Sequence, residues 1–202
     1  MRVVASDAKP NDLLGFGVAL DDNLAAISAY GRDAAAGVVF LYDATTGQEQ
    51  AVLEPSDPGA GKGFGFDVDL SPTKIAVGAI VDSEMIFQGG AAFVFDVTTG
   101  ALLHILTGNN SADGDRFGFS VGIGTDTALV GAAYHNNKRG GAYRFDLTTG
   151  EQIQFLAASD ETAADTNFGI NVAITNGDQR GLIGGWQDDP DNISQAGSAY
   201  LF

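Results

Sequence analysis

Four short polar stretches hold the side chains of this sequence that could do chemistry. They read Gly31-Arg-Asp33, Val81-Asp-Ser-Glu-Met-Ile-Phe87, Tyr134-His-Asn-Asn-Lys-Arg139 and Trp186-Gln-Asp-Asp-Pro-Asp-Asn192. Within them Asp33, Asp82, Glu84, Tyr134, His135, Asn136, Trp186, Asp188 and Asp189 form a candidate ligand-binding set. Aromatic faces beside carboxylates and amides suit sugar recognition or a calcium-bridged contact. Asp188, Asp189 and Asp191 are the densest carboxylate cluster and the first metal candidates, calcium being the cation such hard oxygen donors would take. Catalysis has no comparable set. His104 and His135 are too few for a three-histidine metal site, and His135 has no serine or aspartate nearby in a triad-like pattern. There is no cysteine to serve as nucleophile, thiolate ligand or disulfide, and no glycine-rich phosphate loop opens a helix. The residues point to binding and away from an enzyme.

Something regular must hold those stretches. The 202 residues suffice for one domain, and 10 Lys+Arg against 26 Asp+Glu give a net charge of −16. That charge argues against nucleic acid or an anionic membrane as partner, and no apolar run is long enough to span a bilayer. Asp far outnumbers Glu, and with 28 Gly it signals tight turns between short strands.

The turns recur. Asp-x-Thr-Thr-Gly appears at Asp43–Gly47, Asp96–Gly100 and Asp146–Gly150, each time after an aromatic strand such as Phe93-Val94-Phe95. A fourth aromatic strand, Ala199–Phe202, ends where the turn would begin. Upstream of each aromatic strand stand Gly37, Gly90, Gly140 and Gly197, then a small-residue strand (Val77-Gly78-Ala79, Val130-Gly131-Ala132). Each unit opens on a Phe-Gly strand at Phe64, Phe117 or Phe168; aligning Leu14-Gly15 with these starts the units at 14, 64, 117 and 168. Alternation of large with small or polar residues predicts four short antiparallel strands per unit and almost no helix. The expected role of Phe64, Phe117 and Phe168 is to fill the seams between units, with each glycine admitting a neighbouring backbone. Asp67, Asp69 and Asn171 are expected near a central channel.

The phase of the ends suggests closure. Val3–Asp7 matches a fourth strand, the one that the last unit lacks. Residues 1–202 are therefore expected to form a single all-β domain: a four-bladed β-propeller of four-stranded antiparallel blades. Residues 2–7 would close its last blade. The small residues of the innermost strands favour a self-closed monomer, with a two-chain, eight-bladed ring as the other way to use the same strand exchange.

The run Asp115–Ala133, followed by Gly140-Gly-Ala-Tyr-Arg-Phe145, resembles the FG-GAP repeat of integrin-α-like propellers, in its bacterial variety without a calcium loop. The resemblance covers the chain four times over. Two departures stand beside it: integrin-type propellers have seven blades, and the loops between the first two strands lack a run of regularly spaced oxygen ligands. What the resemblance implies is a non-catalytic binding module of an exported or cell-surface bacterial protein. Its partner would be carbohydrate or an extracellular protein, held by the variable loops on one rim. A structural or oligomerising propeller is the alternative, and a polysaccharide-active enzyme the more distant one.

Overall fold

The computed structural model describes residues 1–55, 63–80, 89–159, 165–189 and 193–202. Fifteen strands form four antiparallel sheets among these residues. The first blade holds β1 (Leu14–Asp21), β2 (Leu24–Ala29), β3 (Val38–Asp43) and β4 (Glu49–Leu53). The second holds β5 (Phe64–Leu70), β6 (Lys74–Ala79), β7 (Ala91–Asp96) and β8 (Leu102–Leu106). The third holds β9 (Phe117–Ile123), β10 (Thr127–Ala132), β11 (Gly141–Asp146) and β12 (Gln152–Leu156). The fourth has β13 (Asn171–Ile174), β14 (Gly181–Gly185) and β15 (Ser198–Leu201). Strands within each blade pair in chain order, and the innermost strands β1, β5, β9 and β13 stand side by side. This is the four-bladed propeller fold that the repeat phase predicts.

The outer hairpins are made by the Asp-x-Thr-Thr-Gly turns. The Oδ1 atom of Asp43 accepts from the Thr45 and Thr46 amides, both at 2.8 Å, and from the Thr45 hydroxyl at 2.6 Å. Gly47, at φ 72°, donates its amide to the Asp43 carbonyl at 2.7 Å. Asp96 and Asp146 repeat the arrangement. A carboxylate thus replaces the ladder partners that the turn amides lose, and glycine alone takes the positive φ without strain.

The seams use both halves of the repeat. Phe64 is fully buried against Phe93 and Phe95, and Phe117 against Tyr143 and Phe145. The glycine before each third strand meets the next blade: a Cβ at Gly37 would lie 1.9 Å from the Phe64 carbonyl oxygen. At Gly90 it would lie 2.0 Å from that of Phe117, and at Gly140 2.0 Å from that of Phe168. Any side chain there would drive the blades apart. Strict two-residue alternation fails at this point. Gly65 and Gly118, at φ 81° and 84°, sit where the register of the opening strand shifts, so a bulge separates Phe64 from Val68. The first Phe of Phe-Gly-Phe is fully buried in the seam, while the second, Phe66 or Phe119, stays partly exposed.

One expectation is corrected. Residues 2–7 do not pair with Ala199–Phe202; they run without strand pairing along the first blade. Ala5 is buried with Phe40 and Tyr42, and Val3 packs on the same cluster. Asp7 bonds Arg32, and Ser6 bonds both carboxylate oxygens of Glu49. These contacts, together with an apolar seat on blade 1, hold the segment where it is. Among the described residues, no buried seam like those between the other blades joins blades 1 and 4. Val121 and Ile123 of β9 are 3% and 1% exposed, whereas Val18 and Leu20, at the same steps of β1, are 66% and 69% exposed.

Candidate functional site

The loops after the second strands of blades 1 and 3 are single turns of left-handed backbone. Asp33, Ala34 and Ala35 have φ of 50°, 60° and 68°; Asn136, Asn137 and Lys138 have 48°, 58° and 66°. Left-handed non-glycine residues cost roughly 1–2 kcal/mol each, so the turns need external support. It comes from the next blade: Gly63 donates to the Ala35 carbonyl at 2.8 Å, and Asn167 to the Lys138 carbonyl at 2.8 Å.

Under each turn lies an acid–base clamp. In blade 1, Arg32 is buried and donates to both oxygens of buried Asp12, at 3.0 and 2.6 Å, and to Asp7 at 3.0 and 3.1 Å. Those bonds hold the Asp12 and Asp7 carboxyls below the usual carboxylate range and raise the guanidinium above its own. In blade 3 the same seat holds His135, whose Nδ1 lies 2.7 Å from Asp115 while its ring packs edge-on to Tyr143 and Phe155. Asp115 lies twenty residues upstream of His135, outside any local triad-like pattern, and only the fold brings the two together. A histidine–aspartate pair is two-thirds of a hydrolytic triad. Here it replaces an arginine–aspartate pair that does the same job in blade 1, which makes it a clamp.

Between the turns runs a row of rings. Tyr30 stacks on Phe16 at 4.6 Å and 20°, and Phe16 meets Phe66 at 5.3 Å. Phe66 meets Phe119 at 4.8 Å, and Phe119 meets Tyr134 at 6.2 Å. Arg116 places its guanidinium 4.2 Å from the centre of the Tyr134 ring. All five rings are partly exposed. Period-two reading of the opening strands hides this row, because Phe66 and Phe119 leave the seam only at the glycine bulge. A glycine one residue before an aromatic was the available signal.

The other predicted residues scatter. Asp33 is exposed and pairs with Lys9 at 3.1 Å, and Asn136 is exposed on its turn. Trp186 is exposed on blade 4 and lines a shallow cleft of about 450 Å³ with Ile170, Asn171 and Ala199. Asp188 is buried; its carboxylate accepts from the Tyr200 hydroxyl at 2.6 Å and from the Asp189 amide at 3.0 Å. Asp189 in turn accepts from the Gln195 amide. Asp82, Glu84 and Asp191 lie outside the described residues. Among the described residues no three metal-ligating side chains come together.

The inner carboxylates are ties between blades. Asp67 accepts from the Val121 amide and Asp69 from the Ile123 amide, both at 2.8 Å. The edge amides of β9 are thereby satisfied from blade 2. Burial pushes the Asp67 carboxyl up to about 6 and raises Asp69 as well.

Four blades, of which the second, third and fourth each set a Phe-Gly carbonyl against the glycine of the blade before, define a repeat-built propeller. The FG-GAP repeat family model matches residues 1–42, 48–95, 103–145 and 151–202, so the chain belongs to the FG-GAP repeat family. Matches two to four begin at an outer strand and end within or beyond the third strand of the following blade, and the first match takes in residues 1–13 in the same phase. A search of curated proteins found no match.

Proposed function

We propose that this chain is a non-catalytic binding module whose ligand is a neutral carbohydrate, taken on the rim that carries Tyr30, Phe16, Phe66, Phe119 and Tyr134. The observation that carries the reading is the continuous row of five part-exposed rings at 4.6 to 6.2 Å steps. Sugar rings present apolar C–H faces to aromatic faces, and a rigid scaffold fixes the spacing before the ligand arrives. Exposed Asp33 and Asn136 on the flanking turns supply groups for hydroxyls. The net charge of −16 opposes polyanions at long range, which favours an uncharged chain. Such a ligand fits an exported or cell-surface protein. The non-catalytic reading is supported by the place of the His135–Asp115 pair, which sits where blade 1 has its Arg32–Asp12 clamp.

The test is binding of the whole chain to a panel of neutral polysaccharides, with Phe66→Ala/Phe119→Ala as the variant. The expected result is saturable binding lost by at least tenfold in the variant, with its β-sheet circular dichroism unchanged. Full binding by the variant, or binding to no member of the panel, overturns the proposal.

A further inference from the structure

We propose that Asn176 is a self-modifying site: its side-chain amide cyclises onto the Gly177 backbone and leaves an aspartyl or isoaspartyl residue that loosens the seam between blades 3 and 4. The inference stands apart from the ligand reading. This turn precedes β14 and lies at the opposite end of the blades from the aromatic row.

Asn176-Gly177 is the one Asn-Gly step in the sequence. The chemistry favours a residue without a side chain after the asparagine, because the backbone nitrogen of that residue must swing against the asparagine Cγ atom. Asn23, Asn137 and Asn167 are followed by Leu, Lys and Phe, whose side chains screen that approach. At Asn176 it is open. Thr175–Asp178 is a four-residue turn closed by the Asp178 amide on the Thr175 carbonyl at 2.8 Å, and its two central residues, Asn176 and Gly177, are exposed. Among the described residues neither the Gly177 amide nor the Asn176 side chain has a hydrogen-bond partner. A Cβ on Gly177 would meet no atom within 4 Å.

The step balances with water as the only co-reactant. The Gly177 nitrogen gives up its proton and bonds to Asn176 Cγ. The Cγ–Nδ2 bond breaks, and Nδ2 leaves with that proton as ammonia. Water then opens the cyclic imide at either carbonyl. One opening restores the main chain with an aspartate at 176. The other routes the main chain through Cβ and Cγ and lengthens the turn by one carbon.

The turn has little slack for either product, because it ties blade 4 to blade 3. The Asn176 carbonyl accepts from the Thr125 amide at 3.3 Å and from its hydroxyl at 2.5 Å. Two residues on, the Asp178 carboxylate accepts from the Asp126 amide at 2.9 Å, the Thr127 amide at 3.0 Å and the Thr127 hydroxyl at 2.8 Å. The fit is close: a Cβ at Gly124 would lie 2.0 Å from Asp178 Oδ1. A main chain lengthened between 176 and 178 takes the two sets of bonds out of step. Either product also adds a carboxylate beside Asp178, where like charges repel.

The experiment ages the whole chain at mildly alkaline pH and follows every asparagine by peptide mass mapping, with enzymatic methylation of isoaspartyl groups as a second readout. The control is Gly177→Ala, which the fold accepts because Gly177 has no left-handed φ and open space around it. Asn176 should gain the mass of an amide turned acid before any other asparagine, and isoaspartate should appear there. Gly177→Ala should react about tenfold more slowly, since its methyl group narrows the backbone's reach. Hydrogen exchange at Thr125, Asp126 and Thr127 should quicken in the aged parent and stay unchanged in the aged variant. An Asn176 that stays intact while other asparagines react, or an equal rate in folded Gly177→Ala, would overturn the proposal. So would unchanged exchange at 125–127 in the converted chain.

Discussion

The seam between blades 2 and 3 and the faces left open on blades 1 and 4 are written with the same repeat, yet only the first is filled. Between blades 2 and 3, Val94 and Leu106 close over Val121, Ile123 and Phe117. At the open faces the corresponding side chains reach solvent, each forgoing roughly 1.5–3 kcal/mol of burial. The positive-φ glycine is present on both sides of the comparison. The repeat therefore specifies a seam half by half, and the half keeps its shape without its complement.

The largest expected effect breaks that comparison directly. Gly140→Ala adds left-handed strain and a clash with the Phe168 backbone, and should cost about 3–5 kcal/mol in denaturant unfolding. Gly197→Ala adds the same strain with only a mild 3.2 Å approach to the Trp186 carbonyl, and should cost about 1–2 kcal/mol. Equal losses would mean that the closed seam is not what the glycine serves.

Next in size come the clamps. Arg32→Ala strands the buried Asp12 carboxylate and should cost about 3 kcal/mol, whereas His135→Ala should cost about 1–2 kcal/mol because a single bond is lost. Arg32→His, which copies blade 3 into blade 1, should recover part of the loss. A larger loss at His135 than at Arg32 would reverse the ranking.

Smaller is the loss at an outer hairpin. Asp96→Ala should lower the melting temperature by a few degrees at neutral pH, and the difference should fade in acid. The carboxyl is held below its usual value of 3.8 by the Thr98 and Thr99 bonds, so its contribution is present above that pH and is lost as pH falls through the lower folded value. Asp43, held down to about 2, should follow the same course.

The effect at Asp67 runs the other way with pH. Burial raises its folded value to about 6 from 3.8, so the folded state takes up a proton more readily than the unfolded chain. Stability from this residue should rise as pH falls from about 7 towards about 4, and Asp67→Asn should flatten that rise. A melting curve for the Asn variant that still climbs in parallel with the parent would assign the trend elsewhere.

Much of this was readable in the chain. The repeat phase, the Asp-x-Thr-Thr-Gly hairpins and the burial of Phe64, Phe117 and Phe168 follow from local pattern, because each depends on residues within one unit. What escaped depends on neighbours across a seam. Val3–Asp7 reads as an outer strand, but phase does not say which blade it leans on, and the bonds from Ser6 and Asp7 decide that. Asp115 and His135 are linked only once the loop turns left-handed. Asp188 looks like a free carboxylate until Tyr200 is brought beside it by strand pairing. Phe66 and Phe119 looked like one more step of an alternation that the bulge interrupts.

The clamps also carry a symmetry. Blades 1 and 3 share the left-handed turn, the acid–base pair beneath it and the outer-strand bond to Glu49 or Gln152, while the corresponding loops of blades 2 and 4 carry the longer stretches at Val81–Phe87 and Trp186–Asn192. The true period is two blades. The rim therefore alternates short and long loops from blade to blade, so that one extended ligand would meet the same pair of loops at every second blade.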